Sequence, residues 1–362
     1  MGVGIRLAIA GGGTGGHVFP MLAVARAIER EAPGSELLFV GTRRGIEARL
    51  VPEAGYRLAT LRIGGLKGKS ALRRLATLAQ LPWAVLASAM LLARFRPQAV
   101  LGGGGFASGP VGLAASLLRT PLALLEVNSL PGFTNRRLAG RAKVAFVAFP
   151  ETAARMRCPV VVTGNPVRDE VRGEPPRAAE GPLRLLVLGG SQGAVGLNSL
   201  VVEALPHLKA IGIPLAVTHQ SGALDLERVR GAYVQAGLAA RVEPFFDDVA
   251  SAYREAELVV SRAGATTVAE LIAARRPAIF VPLPTAADNH QEHNALAVVA
   301  AGGGELLRQF EADGALLAER IACWYDRREG LEQAGVAMAA LDHPDAAERI
   351  ARELIALAGG RG

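Results

Sequence analysis

His17 closes a run of small residues, Gly11-Gly12-Gly13-Thr14-Gly15-Gly16, that separates an apolar strand-like stretch (6–10) from apolar residues at helical spacing (21–28). A glycine turn at a helix start brings backbone N–H groups and the positive end of the helix dipole up to an anion, and phosphate is the usual guest. An imidazole beside a helix N-terminus stays neutral and can take a proton near neutral pH; as a plain structural residue it would cap the turn. Glu126 is the rival base. It ends the apolar run 121–126 and is followed by Val127-Asn128, which together with it could instead cap the next helix.

Gly11, Gly13 and Gly16 also satisfy the dinucleotide spacing G-x-G-x-x-G, which needs an acidic residue about 20 positions on for the adenosine ribose. The second strand-like run, 37–40, ends in Gly41-Thr42-Arg43-Arg44, which argues against NAD and leaves NADP only a weak alternative, so no cofactor is expected.

The elements that must position these groups repeat. Residues 100–110 give a second strand, glycine turn and helix, expected beside the first, and the loop 126–135 shares its rim. Residues 183–194 restate the opening unit with Gly189-Gly190-Ser191-Gln192-Gly193-Ala194, where Ser191 and the turn amides suit a phosphate. A further anion-ready turn runs from Ser261 through Ala265, Thr266, Thr267, Val268 and Ala269 to Glu270. A carboxylate at Glu270 would repel phosphate but can accept both hydroxyls of a ribose; it could also be an ordinary dipole-stabilising residue. His290 and His293 stand at i, i+3, but no third metal ligand lies near them, and a polar, sugar-binding helix start around Gln291 and Asn294 fits better.

At 362 residues the chain is long enough for two α/β domains. Residues 1–165 carry a net charge of +14 and residues 166–362 a net charge of −7, which argues for two domains with different partners. The basic half suits an anionic membrane surface, and no nucleic acid is expected. A polar, proline-rich stretch at 174–182 is read as the break between them. Residues 1–10 lack a signal-peptide layout, which places the chain in the cytoplasm, and Cys158 and Cys323 offer neither zinc nor a disulfide framework. The uncharged stretch 75–93 is broken by Gln80 and Pro82 and is rejected as a membrane span. Its second part, 85–93, reads as a buried core helix. Its first part, with Arg73, Arg74, Leu72, Leu75, Leu78, Leu81 and Trp83, reads as an apolar patch with a basic rim for interfacial binding.

Four motifs together closely resemble the bacterial MurG family of UDP-N-acetylglucosamine:undecaprenyl-pyrophosphoryl-N-acetylmuramyl-pentapeptide N-acetylglucosaminyltransferases. They are Gly-Gly-Thr-Gly-Gly-His-Val-Phe-Pro at 12–20, Gly-Asn-Pro-Val-Arg at 164–168, Gly-Gly-Ser-Gln-Gly-Ala at 189–194 and the segment 261–270. The resemblance runs nearly end to end. It implies the GT-B fold, α/β with two Rossmann-like domains facing a central cleft: an acceptor-binding, membrane-associating domain at 1–165 and a UDP-GlcNAc-binding domain at 166–362, with the last helix able to pack back on the first. It further implies metal-free, inverting transfer of N-acetylglucosamine to the muramyl 4-hydroxyl of lipid I at the cytoplasmic face of the inner membrane. By the matching motifs, Thr14, Gly15, Gly16 and Asn128 contribute to the sugar-nucleotide site. Arg168 and Ser191 hold the pyrophosphate, the Phe246 backbone meets uracil, Ala265 to Glu270 contact phosphate and ribose, and Gln291 with Asn294 reads the sugar. Phe106 and Leu125 stand where the family usually has Tyr and His, which leaves His17 as the better base than Glu126. The other readings are a different GT-B glycosyltransferase, acting on another lipid or small molecule, and a non-catalytic sugar-nucleotide-binding protein.

Overall fold

The computed structural model of the chain describes residues 4–61, 80–177, 180–190 and 193–360. Two compact units emerge, one running to Val167 and resuming at His343, the other spanning Arg168–Asp342. Strands in each are near-continuous apolar runs, as parallel strands covered by helices on both faces must be.

In the first unit, β1 (Arg6–Ala10), β2 (Glu36–Thr42), β3 (Arg57–Leu61), β4 (Ala99–Gly102), β5 (Leu122–Glu126), β6 (Val144–Val147) and β7 (Val160–Val162) form one parallel sheet in the order β3-β2-β1-β4-β5-β6-β7. The order reverses at β1 and β4, the place where an open parallel sheet leaves a crevice at its carboxyl end. Ala8, Ala10, Val40, Val100, Leu122 and Leu124 fill the core on one face with Val111 and Leu138 from the helices. The last helix, Ala346–Gly359, lays Ile350, Ala351 and Leu354 against helix Gly15–Glu31, and Arg30 pairs with Glu348 at its edge. The returning chain passes so close to Gly164 (φ +77°) that a Cβ there would stand 2.4 Å from the His343 Cβ.

In the second unit, β8 (Leu183–Leu188), β9 (Leu215–Gln220), β10 (Ala240–Glu243), β11 (Leu258–Ser261), β12 (Ala278–Phe280) and β13 (Gly304–Leu306) form a parallel sheet in the order β10-β9-β8-β11-β12-β13. Its reversal falls between β8 and β11, again below a glycine turn and a helix start. The proline-rich stretch read as a break belongs to this unit. Val171 is buried, Gly173 N–H donates to Ala273 O at 3.1 Å, and Arg276 donates to Glu174 O, so the approach to the stretch and its first residue are packed down.

Helix Leu81–Phe95 corrects the reading of 85–93 as a core helix. Only Ala84, Ser88 and Leu92 are buried, a stripe at i, i+4, i+8, while Trp83 is 73% exposed, Met90 61% and Leu86 49%. The rest of the patch, residues 72–79 with Arg73 and Arg74, lies outside the described residues. No helix among the described residues is long and apolar enough to cross a membrane.

Beneath the β8 turn lies a buried polar network. His219, fully buried on β9, bonds Tyr233 Oη through Nδ1 and Asn198 Oδ1 through Nε2, both at 3.1 Å. Asn198 donates to Asp225 Oδ2 at 2.7 Å, and Arg228 grips Asp225 with two hydrogen bonds of 2.6 Å. Burial holds the His219 imidazole down to about 4, against 6.5 in water, so it is neutral in the fold. The unfolded chain therefore binds a proton that the folded chain refuses. The stability from His219 is fully present above pH 6.5 and is lost as pH falls through about 4, reaching about 2 kcal/mol of loss by pH 5. Urea unfolding of His219→Gln and the wild type at pH 7.5 and pH 5 checks this: the wild type should lose more on acidification, and equal losses would contradict it.

Candidate functional site

In the first unit the two glycine turns press directly on one another. Gly103 N–H donates to Ala10 O at 2.8 Å, and a Cβ on Gly105 (φ +78°) would stand 2.5 Å from Gly12 O, so only glycine fits there. The first turn is not simply open to phosphate. Glu47, 1% exposed, accepts from Gly13 N–H at 2.7 Å on Oε2, and from Thr42 N–H and O–H at 2.8 Å each on Oε1. The acidic residue absent from the end of β2 thus arrives five positions later and is turned onto the protein's own backbone.

Thr14 caps helix Gly15–Glu31 in an extended conformation, which puts Gly15 and Gly16 in the first turn, where backbone N–H groups have no partner four residues back. His17 follows them, its Nδ1 3.1 Å from Thr14 Oγ1. Gly104 (φ +83°) passes beside the other edge of the ring: a Cβ there would lie 3.3 Å from His17 Nε2. Phe106, 43% exposed, opens the next helix, while Leu125 is buried in β5.

Glu126 sits on the same rim, yet it is 3% exposed and saturated. Oε1 accepts from Asn128 N–H at 3.0 Å and Asn128 Nδ2 at 3.1 Å, and Oε2 accepts from Gly132 N–H and Asn135 Nδ2, both at 2.9 Å. Four donors fill the four acceptor positions of a carboxylate, and the result is a rigid loop rather than an available base. Asn128 is oriented by this carboxylate and remains half-buried.

In the second unit, helix Ala265–Ala274 starts behind Gly264 and carries Thr266, Thr267, Val268, Ala269 and Glu270. The Thr266 hydroxyl is buried and has no hydrogen-bond partner among the described residues. Glu270, 8% exposed, accepts from Arg168 Nη2 at 3.2 Å on Oε1 and from Tyr253 O–H at 3.1 Å on Oε2. Burial pushes its carboxyl up, while Arg168 and the Tyr253 hydrogen bond pull it back. The Phe246 N–H donates to Gln220 Oε1 at 3.1 Å, and Gln220 Nε2 donates to Gly190 O at 2.9 Å, so one buried amide ties the Phe246 loop to the glycine turn after β8. Ser191 lies outside the described residues.

Gln291, half-buried, accepts from Leu283 N–H at 2.9 Å. Asn294 departs from expectation: it is fully buried and donates to Ala263 O at 3.2 Å, so it braces the loop ahead of Gly264 instead of presenting its amide to a sugar. Among the described residues no three His, Cys, Asp or Glu side chains converge to hold a metal ion. Sequence reading missed Glu47, Gln220 and Tyr253. The first had a signal, an isolated acid shortly after a strand whose partner turn lacks one; a glutamine ending an apolar strand and a tyrosine inside a short helix had none.

Residues 7–147 match the glycosyltransferase family 28 N-terminal domain and residues 184–350 its C-terminal domain. A protein of Anaeromyxobacter sp. (strain Fw109-5) named UDP-N-acetylglucosamine–N-acetylmuramyl-(pentapeptide) pyrophosphoryl-undecaprenol N-acetylglucosamine transferase is 46% identical over 96% of this chain and 92% of its own. One of the same name from Geotalea uraniireducens (strain Rf4) is 42% identical over 97% of this chain and 98% of its own. The crystal structure of Acinetobacter baumannii MurG superposes with a TM-score of 0.79 at 33% identity, covering 97% of this chain and 99% of that one. With two parallel-sheet, Rossmann-like units of the GT-B class and this identity along nearly its whole length, the chain belongs to glycosyltransferase family 28, in the MurG family of UDP-N-acetylglucosamine-dependent transferases.

Proposed function

We propose that the chain transfers N-acetylglucosamine from UDP-GlcNAc to the muramyl 4-hydroxyl of lipid I, forming lipid II at the cytoplasmic face of the cell membrane. The observation that carries this reading is the identity of 42–46% along almost the full length to transferases named for that donor and acceptor.

The donor is assigned chiefly to the second unit. Glu270 takes the ribose, the loop at Phe246 the uracil, and Arg168 with Ser191 and the helix starts at 195 and 265 the diphosphate. Thr266 supplies a hydroxyl and Gln291 a sugar contact. Thr14, Gly15, Gly16 and Asn128 are the donor-binding positions that the family resemblance implies in the first unit, and Asn294 acts by bracing the 261–264 loop. In the reaction the acceptor oxygen attacks the anomeric carbon from the face opposite the diphosphate. The bond from that carbon to the phosphate oxygen breaks, and UDP leaves with the bonding pair, its charge met by Arg168 and the two helix N-termini.

The attacking hydroxyl must lose its proton, and we assign that proton to His17. In the tautomer whose Nδ1–H donates to Thr14 Oγ1, Nε2 is the nitrogen that takes the proton. Glu126, with four hydrogen bonds already on its oxygens, holds the loop that carries Asn128 and Asn135. His17→Ala should lower turnover by roughly 10² to 10⁴ while leaving UDP-GlcNAc binding nearly intact. Glu126→Gln replaces an acceptor with a donor among four donors and should cost stability first. Turnover that survives His17→Ala but collapses in a stably folded Glu126→Gln would exchange the roles.

The membrane side of the proposal rests on the first unit. Its net charge of +14 faces anionic lipid favourably, each basic residue near such a surface contributing about 1 kcal/mol, and Trp83, Leu86, Met90 and Leu117 expose an apolar face across two packed helices. Co-sedimentation with vesicles containing anionic lipid should fall in Trp83→Ser with Met90→Ser. Binding that ignores both the anionic content and these substitutions would overturn the docking surface.

A further inference from the structure

We propose that Tyr253 is a positioning residue for nucleotide recognition: its hydroxyl holds Glu270 Oε2 so that both carboxylate oxygens face the 2′- and 3′-hydroxyls of the ribose. This rests on the reading of Glu270 as the ribose acceptor.

A glutamate has three rotatable side-chain bonds, so one standing on a helix near the surface spreads over many rotamers unless something fixes its end. Here each oxygen has one protein donor, Arg168 Nη2 on Oε1 at 3.2 Å and Tyr253 O–H on Oε2 at 3.1 Å. A carboxylate offers about four acceptor positions, so two remain, one on each oxygen, which is what a vicinal diol requires. Glu126 gives the contrast within the same chain: the same group with four donors has no position left.

Tyr253 is equipped to hold its place. It is 1% exposed on helix Val249–Glu255, and the carbonyl at its own position accepts from Arg276 Nε at 2.6 Å. Arg276 in turn donates to Arg254 O at 3.2 Å and to the backbone at Glu174. The phenol therefore approaches Glu270 from a helix pinned by a buried guanidinium, and its hydrogen is committed to the carboxylate. Arg168 alone would leave Oε2 without a fixed partner, and the carboxylate could rotate about its last bond.

The test compares binding of UDP with binding of 2′-deoxy-UDP and 3′-deoxy-UDP by calorimetry, in the wild type, Glu270→Ala and Tyr253→Phe, with thermal melting to verify folding. The wild type should prefer UDP over each deoxy analogue by roughly tenfold or more, the range of a hydrogen bond to a charged group. Glu270→Ala should abolish the preference, and Tyr253→Phe should reduce it to about threefold or less while retaining the fold. A preference that persists in Glu270→Ala sinks the ribose reading itself. A preference lost in Glu270→Ala but kept at the wild-type level in folded Tyr253→Phe sinks the role of Tyr253 alone. The wild type supplies a reading that needs no variant: with one donor on each oxygen both hydroxyls should matter, and a loss confined to one analogue would overturn the arrangement.

Discussion

Backbone N–H groups gathered at the ends of parallel strands must find acceptors, and the way this chain supplies them organises the rest. Glu47 and Glu126 answer that demand, and a third buried carboxylate, Glu270, accepts side-chain donors only. Glu47 accepts three hydrogen bonds and fixes the first glycine turn; Glu126 accepts four and fixes the loop beyond β5; Glu270 accepts two. The count separates structure from recognition, since a saturated carboxylate has nothing to offer a ligand and a half-saturated one does. Glu47, the acid that follows β2, is turned inward to hold Gly13, while Glu270 in the second unit keeps two acceptor positions.

Close backbone approach follows from the same demand. Internal carboxylates and carbonyls reach the turns only because glycines leave room, and in the first unit two turns share that room to the point where a side chain at 105 would collide with Gly12. His17 inherits its setting from this packing, with Thr14 on one ring edge and Gly104 beside the other. In the second unit the equivalent economy is achieved by an amide: Gln220 satisfies Gly190 O and Phe246 N–H at once, and in the network beneath it a neutral His219 is hydrogen-bonded on both ring nitrogens while the charge of Asp225 is paired with Arg228.

Much of this was legible in the sequence, for reasons that differ by element. Strand, glycine turn and helix recur at 6–28, 100–117 and 183–211 because phosphate-ready turns leave a local pattern, and the structure places each of them at a carboxyl end beside a reversal of strand order. What was not legible depends on contacts far apart in the chain. Glu47 left only the faint mark of an isolated acid after β2, and Tyr253 differs in nothing local from a core aromatic; only folding brings Gly13 to one and Glu270 to the other. Helix Leu81–Phe95 misled for a physical reason. Apolar composition signals burial in a soluble core, and the same composition serves a face that stays exposed, so the stripe at 84, 88 and 92 is decided by what packs against it. The units divide at Arg168 rather than at the proline-rich stretch 174–182, because prolines mark a packed segment as readily as a linker, and Arg276 holds this one at Glu174.

The central claim is that the chain joins one donor to one acceptor. The most direct measurement is release of UDP by the purified protein with a lipid I analogue, across UDP-N-acetylglucosamine, UDP-N-acetylgalactosamine and UDP-glucose, with and without the acceptor. The account predicts release that requires both the lipid I analogue and UDP-N-acetylglucosamine, with the other sugars far slower. Binding of UDP-N-acetylglucosamine without acceptor-dependent release, or equal release with a polar acceptor that carries no lipid, would contradict it.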